Sequence, residues 1–145
     1  MKTLYLVPMF LILFSCKCVK TENIIVSSNK KALFTTLFSS AYQGRETAEN
    51  VIITNQKDLD DLYASVNNEE VPKVDFSKNQ VVALFLGTKN TGGHGISIDR
   101  VEAQDNKIIV YKKIQTPDKD AMVTMALTNP FVIAEIHSKN KIEFK

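Results

Sequence analysis

The chain has 145 residues, and its 18 Lys and Arg against 16 Asp and Glu give a formal net charge of +2. This balanced and evenly mixed charge argues against nucleic-acid binding, which requires a clustered basic surface. The length suits one domain after processing, and the 44% hydrophobic content is enough to build a core.

The N-terminal segment joins a short basic start to an apolar run from Leu4 to Phe14. This run is too short to span a bilayer, which takes about 20 residues. It therefore predicts the core of a signal peptide over residues 1–15. The following sequence Leu13-Phe14-Ser15-Cys16 resembles the bacterial lipobox, whose cysteine is lipidated and becomes the new N-terminus.

Lipidation of Cys16 would anchor the protein to a membrane through its lipid, with residues 16–31 as a flexible tether. The alternative is a secreted protein without lipid. Cys18 is the second of the two cysteines and lies too close to Cys16 to staple a fold. Lys17 is compatible with sorting to the outer membrane, so we expect a lipid-anchored protein of the bacterial cell envelope. Residues 24–26 could form a first edge strand or belong to the tether.

The first part of the domain, which we expect over residues 32–145, reads as two strands and a helix. Strands are predicted over residues 33–42 and 51–54. The helix is predicted over residues 56–66, because its apolar residues recur at helical spacing: Leu59, Leu62, Tyr63 and Val66. Asn55 suits the N-cap position, and the aspartates that follow fit helix capping better than a calcium loop.

The second part of the domain reads as strands only. An unbroken apolar run over residues 81–86 predicts a strand over 80–86 that is buried on both faces. Further strands are predicted over 96–103, 107–115 and 131–137, with a short last strand that ends at Phe144. A shift of the apolar phase predicts a bulge near Asp99. The fold class is therefore mainly β, α+β by count: an antiparallel sheet or sandwich-like meander with one amphipathic helix near 56–66.

A candidate binding surface follows from the loops of this meander. The loop 87–95 contains Gly92, Gly93 and Gly95, and paired glycines allow positive φ and close approach of the backbone to another surface. If the late strands alternate in direction, this loop and the segment 116–130 lie together at one end of the sheet. Surfaces of this kind commonly carry function.

The strand lead-in Asp75-Phe76, the strand 80–86 with Gly87, and the Thr91-Gly92-Gly93 step resemble the PrcB C-terminal domain family of protease-complex lipoproteins. The segment from Ala126 to Val132 resembles the closing pattern of that family, and the whole resemblance covers roughly residues 35–138. It implies a non-enzymatic lipoprotein that associates with and stabilises a secreted or surface peptidase. We predict that the partner contacts a surface made of Thr91, Gly92, Gly93, His94, Asn129, Pro130 and Phe131.

The inventory of reactive side chains predicts no enzyme, no cofactor and no metal site. Nucleophilic catalysis needs Ser or Cys beside a positioned His. The two histidines, His94 and His137, fall at opposite ends of the predicted strands. Two separated histidines also fall short of the three or four ligands that zinc requires.

Two alternatives remain open from the sequence. Residues 90–94 and 129–131 also resemble two loops of chagasin-type peptidase inhibitors, in which a glycine loop and a Pro-held aromatic residue enter the cleft of the enzyme. The third possibility is a structural β-module of the cell envelope, in which the glycine pair only makes a turn.

Overall fold

The computed structural model describes residues 32–145. The predicted signal peptide over 1–15, the lipidation of Cys16, the tether over 16–31 and the possible strand at 24–26 lie outside the described residues. Over residues 32–145, no helix is long and apolar enough to cross a membrane.

The described chain is mostly β with one short helix, as the sequence predicted. The elements in chain order are β1 (Phe34–Ser40), β2 (Ala48–Ile53), α1 (Gln56–Ser65), β3 (Gln80–Leu86), β4 (Gly95–Gln104), β5 (Lys107–Gln115), β6 (Phe131–Ile136) and β7 (Lys141–Phe144). The bulge predicted near Asp99 is confirmed, because the pairing of β4 with β5 shifts register between Ile98 and Arg100.

The strands form two sheets, and the predicted meander is wrong. One sheet has the order β1-β6-β3-β2 and is antiparallel throughout, and the other has the order β4-β5-β7. β3 therefore pairs with β2 and β6 rather than with β4, and β7 pairs with β5 in parallel. The long loop 87–95 carries the chain from one sheet to the other, and the segment 116–130 carries it back.

The difference in burial between β3 and β4 explains why these two strands lie in different sheets. All seven residues of β3 are buried, so both of its faces need a covering layer. β4 alternates between partly buried and exposed residues along much of its length. An alternating strand suits a sheet with one solvated face, whereas a continuous apolar strand suits the centre of a layered fold.

The first sheet is the middle layer, with a core on each face. α1 covers one face, where Leu59, Leu62 and Tyr63 pack against odd-numbered residues of β3 and β6, including Phe85 and Phe131. The second sheet covers the other face, and that core contains Val82, Ile108, Val110, Ala134, Ile136 and Ile142. β3 and β6 contribute to both cores because successive side chains of a strand point to opposite faces.

The helix begins where the sequence predicted. Asn55 is the N-cap, and its side-chain oxygen accepts a hydrogen bond of 2.9 Å from the backbone N–H of Asp58. Asn55 Nδ2 also donates to the Asp58 carboxylate at 2.7 Å. This capping role accounts for Asp58 without a bound ion.

Candidate functional site

The loop 87–95 and the segment 116–130 lie together, as predicted, at what we call the upper end of the middle sheet, where β3 ends and β6 begins. The two strands are antiparallel, with Phe85 opposite Phe131. The C-terminal end of β3 and the N-terminal end of β6 therefore lie at the same end of the sheet. The prediction succeeded despite the wrong meander because it depends on strand direction and not on which strands are neighbours.

Hydrogen bonds hold the two loops together. Lys89 and Thr128 form a two-way backbone bridge, with N···O distances of 2.8 and 2.9 Å. The N–H of Gly92 donates to the carbonyl of Thr124 at 3.0 Å. The buried Thr128 hydroxyl donates to the carbonyl of Thr91 at 3.1 Å. The loop 87–95, which we call the glycine loop, and the segment 116–130 are therefore fixed to each other by hydrogen bonds.

The structure shows what the two glycines approach. A Cβ at Gly92 would collide with Thr124 Oγ1, and a Cβ at Gly93 would lie 3.0 Å from Pro117 Cβ. Gly93 also has φ +83°, a conformation that residues with side chains rarely adopt. The sequence correctly indicated close backbone approach. The surface approached is the chain's own segment 116–130.

His94 is partly exposed at the end of the same loop. Its Nδ1 atom is buried and has no hydrogen-bond partner among residues 32–145. His137 lies at the lower end of β6, where its Nε2 is 3.0 Å from Thr35 Oγ1. The two histidines are thus placed at opposite ends, as the sequence predicted.

Asn129 connects three parts of the upper end. Its backbone N–H donates to Ala41 and its carbonyl accepts from Gly44, both at 3.0 Å. Its side-chain amide donates to Thr88 Oγ1 at 2.8 Å and to the Arg45 carbonyl at 3.4 Å. The polar groups of Asn129 are therefore used to hold neighbouring loops together.

Pro130 and Phe131 do not form part of an exposed contact surface, which corrects the prediction for both. Phe131 is only 1% exposed and stacks on Phe85 with ring centroids 5.6 Å apart. Pro130 is buried, and its carbonyl accepts the N–H of Leu86 at 2.9 Å. The aromatic residue after the proline belongs to the core on the α1 side, because odd-numbered residues of β6 face α1. Gly92 is also buried, beneath Thr124.

The most exposed apolar side chains at this end come from residues 121–127, which we call the apolar segment. Met122 is 103% exposed, Met125 89% and Leu127 67%. The apolar segment has no charged residue, and neither does the chain that follows as far as Ala134. Our sequence reasoning missed this segment, although an uncharged stretch with two methionines inside a predicted loop was a usable signal.

The backbone of the apolar segment is also largely free. Within the described residues, the N–H groups of Met122, Met125 and Leu127 donate to no hydrogen-bond acceptor. Two of its backbone groups are held: the Ala121 N–H donates to the Asp118 carbonyl, and the Thr124 carbonyl accepts from Gly92. The segment thus offers both apolar side chains and unpaired backbone groups to a partner.

Over residues 32–145, no three side chains of His, Cys, Asp or Glu lie close enough together to hold an ion.

The part of the sequence that forms this site matches a known protein family. Residues 80–137 match the PrcB C-terminal family model. The resemblance to this family is confirmed over that part of the chain. The PrcB C-terminal match runs from the first residue of β3 to one residue beyond β6, so it contains the glycine loop and the apolar segment. β1, β2 and α1 lie outside it, although the resemblance seen in the sequence extended to them.

No curated protein and no solved structure matched the chain.

Proposed function

We propose that this protein is a lipid-anchored, non-enzymatic domain of the bacterial cell envelope that binds and stabilises a secreted or surface peptidase. The PrcB C-terminal match is consistent with a protease-complex-associated domain. The observation that carries the proposal is the apolar segment, whose Met122, Met125 and Leu127 are held in solvent on a layer fixed to the glycine loop.

The chemistry of the apolar segment favours a protein partner. Clustered exposed apolar side chains commonly mark interaction sites, and methionine adapts its shape to irregular partner surfaces. Burial of three such side chains would contribute several kcal/mol, at about 1.5–3 kcal/mol for each one fully buried. Thr91, Gly93 and His94 border this segment and remain predicted contacts.

The described domain begins at the end of the middle sheet opposite the apolar segment. The Leu33 carbonyl accepts the N–H of His137 at 2.9 Å, so the described domain begins at the lower end of the middle sheet. β6 has six residues, and a strand rises about 3.3 Å per residue, so roughly 20 Å separate this end from the upper loops.

The proposal assigns no catalytic residue. His94 and His137 are the two histidines of the chain, and they lie at opposite ends of the sheet. The proposed roles are therefore binding and stabilisation, through the three apolar side chains and the bordering glycine loop.

The test is capture of a peptidase from the secretome of the source cell, identified with an active-site probe. The full chain would be compared with the Met122→Ser/Met125→Ser/Leu127→Ser variant. A matched control, Met122→Leu/Met125→Leu/Leu127→Met, keeps the segment apolar. We expect capture by the wild type and the control, and loss of capture by the serine variant.

The outcomes separate the three functions considered. A longer half-life of the captured peptidase supports stabilisation, whereas loss of its activity supports the inhibitor alternative. Equal capture by the serine variant would move the contact to another surface. Absence of any captured peptidase would leave the structural β-module as the better explanation.

A further inference from the structure

β2 forms an open edge of the middle sheet. It pairs with β3 along its whole length without a register shift, and no strand of residues 32–145 pairs with its other side. The edge strand of the second sheet, β4, differs because it carries a bulge and the charged residues Asp99, Arg100 and Glu102. Bulges and charges are devices that protect an edge against strand pairing. Six-residue β2 has no bulge.

The hydrogen bonds of β3 fix which groups of β2 point outward. Leu86 donates its N–H to Pro130, on the β6 side, so the odd-numbered residues of β3 direct their backbone groups to β2. Their partners in β2 are Glu49, Val51 and Ile53. Asn50 and Ile52 consequently direct their N–H and C=O groups to the open side.

Two grooves flank this edge, one on each face of the sheet. The groove on the α1 side has a volume of about 250 Å³ and is lined by Val51, Ile53, Leu62 and others. The groove on the side of the second sheet has a volume of about 150 Å³ and is lined by Ala48, Asn50, Ile96 and Ile114 among others. An added strand would direct alternate side chains into these two grooves, since successive side chains point to opposite faces.

The charges around the α1-side groove select one kind of side chain. Arg45, Asp58 and Asp61 line it. Glu49 engages the guanidinium of Arg45 at 2.6 Å and Lys57 engages the carboxylate of Asp61 at 2.8 Å, so among residues 32–145 Asp58 is the lining charge without an ion-pair partner. A long basic side chain can pack its aliphatic stem on Val51 and place its charge near the Asp58 carboxylate. The other groove is lined by five apolar residues together with Glu49, Asn50 and Lys112, and its apolar part suits an apolar side chain.

We propose that β2 binds an extended peptide of a partner protein by strand addition, with a Lys or Arg in the α1-side groove and apolar residues at the neighbouring positions. The backbone bonds would form at Asn50 and Ile52, and the two grooves would select the sequence. This site is separate from the apolar segment and does not depend on the peptidase proposal.

A second copy of the chain is a poorer occupant of this edge. Pairing of two six-residue edges buries far less than the roughly 1,200 Å² that stable protein interfaces need. A peptide fills both grooves as well as the edge.

The test uses the full chain in detergent, with a phage-displayed library of random heptapeptides as the probe. Selected peptides would be synthesised and their affinity measured against wild type, Asn50→Pro and Asn50→Ala. Proline removes the outward N–H of Asn50 and spares the bonds to β3, as is tolerated in edge strands. Alanine removes only the side chain. We expect about a tenfold loss of affinity for Asn50→Pro and little change for Asn50→Ala.

Hydrogen exchange of the wild type keeps the test independent of how the variants fold. The amides of Asn50 and Ile52 should exchange rapidly in the free chain and slowly with peptide bound, while Val51 should be protected in both states. Slow exchange of Asn50 and Ile52 in the free chain would overturn the proposal, because another segment would already cover the edge. Selected peptides without a basic residue, or binding without protection of these two amides, would also overturn it.

Discussion

The glycine loop and the apolar segment meet at the upper end of the middle sheet and use their residues in opposite ways. The glycine loop lies with its backbone against Thr124 and Pro117 and leaves no room for further side chains at Gly92 and Gly93. The apolar segment holds Met122 and Met125 almost fully in solvent. Glycines therefore mark where the chain approaches itself, and exposed apolar side chains mark where a partner would be bound.

The largest expected effect on stability is at Phe131, which is compared with Leu127, four positions earlier in the chain. Phe131→Ala should lower the free energy of unfolding by about 3–5 kcal/mol, because it leaves a cavity beside Phe85 and Phe38. Urea unfolding followed by circular dichroism measures this. The control Leu127→Ala should unfold like the wild type, and a similar loss in both variants would contradict the contrast in burial.

Substitution of Gly93 tests the supporting role of the glycine loop. Gly93→Ala should lower the free energy of unfolding by roughly 1–3 kcal/mol, because positive φ strains a residue with a side chain and Pro117 limits the space. Gly95→Ala is the matched control, since its Cβ would make an ordinary contact of 3.7 Å with Gln115. Equal thermal stability of the two variants would show that the close packing at Gly93 has little energetic weight.

The serine variant of the apolar segment should lose partner binding and keep its stability, whereas the Gly93 variant should lose stability. Replacement of Met122, Met125 and Leu127 by serine removes exposed side chains, so each change should shift the free energy of unfolding by no more than about 0.5 kcal/mol. Capture of the peptidase should nevertheless be lost. A marked drop in the melting temperature would mean that these side chains support the fold and would weaken their assignment as a contact.

The smallest expected effect is on the stability of the protein at low pH and comes from Glu143, which lies outside both loops. The hydrogen bond from Lys107 lowers the pKa of Glu143 below its ordinary value of 4.5. The resulting stabilisation is full above the unfolded-state pKa and is lost as the pH falls through the lower folded-state pKa. The side chain of Glu143 is 37% exposed and therefore partly screened by solvent, so the loss should be small. Urea midpoints at pH 7 and pH 3 should differ slightly less in Glu143→Gln than in wild type, and a larger difference would contradict this sign.

Local features of the fold could be predicted from the sequence because they depend on neighbouring residues. The bounds of β3 and β5 agree with the predicted ranges, and the Asn55 cap and the bulge near Asp99 are confirmed. The pairing of strands could not be predicted, because loops of the length of 87–95 allow a chain to turn back or to cross to another sheet. The parallel pairing of β5 and β7 likewise has no local signal.

The sequence predicted where in the fold the candidate site lies, but it did not predict which side chains are exposed there. Strand direction was enough to bring Thr91 and Asn129 to the same end. The sequence could not reveal that Phe131 faces α1, because the inward face of β6 depends on its register with β3. Exposure of Met122 also depends on what covers it, which only the packed structure shows.

The sharing of β3 between the two cores has a consequence for cooperativity. Its Val81, Ala83 and Phe85 belong to the core under α1, and its Val82 belongs to the core under the second sheet. Loss of either covering layer would leave one face of β3 in water, so we expect the three layers to unfold in one transition. The slowest-exchanging amides should then be those of β3 and β6, whichever layer is perturbed.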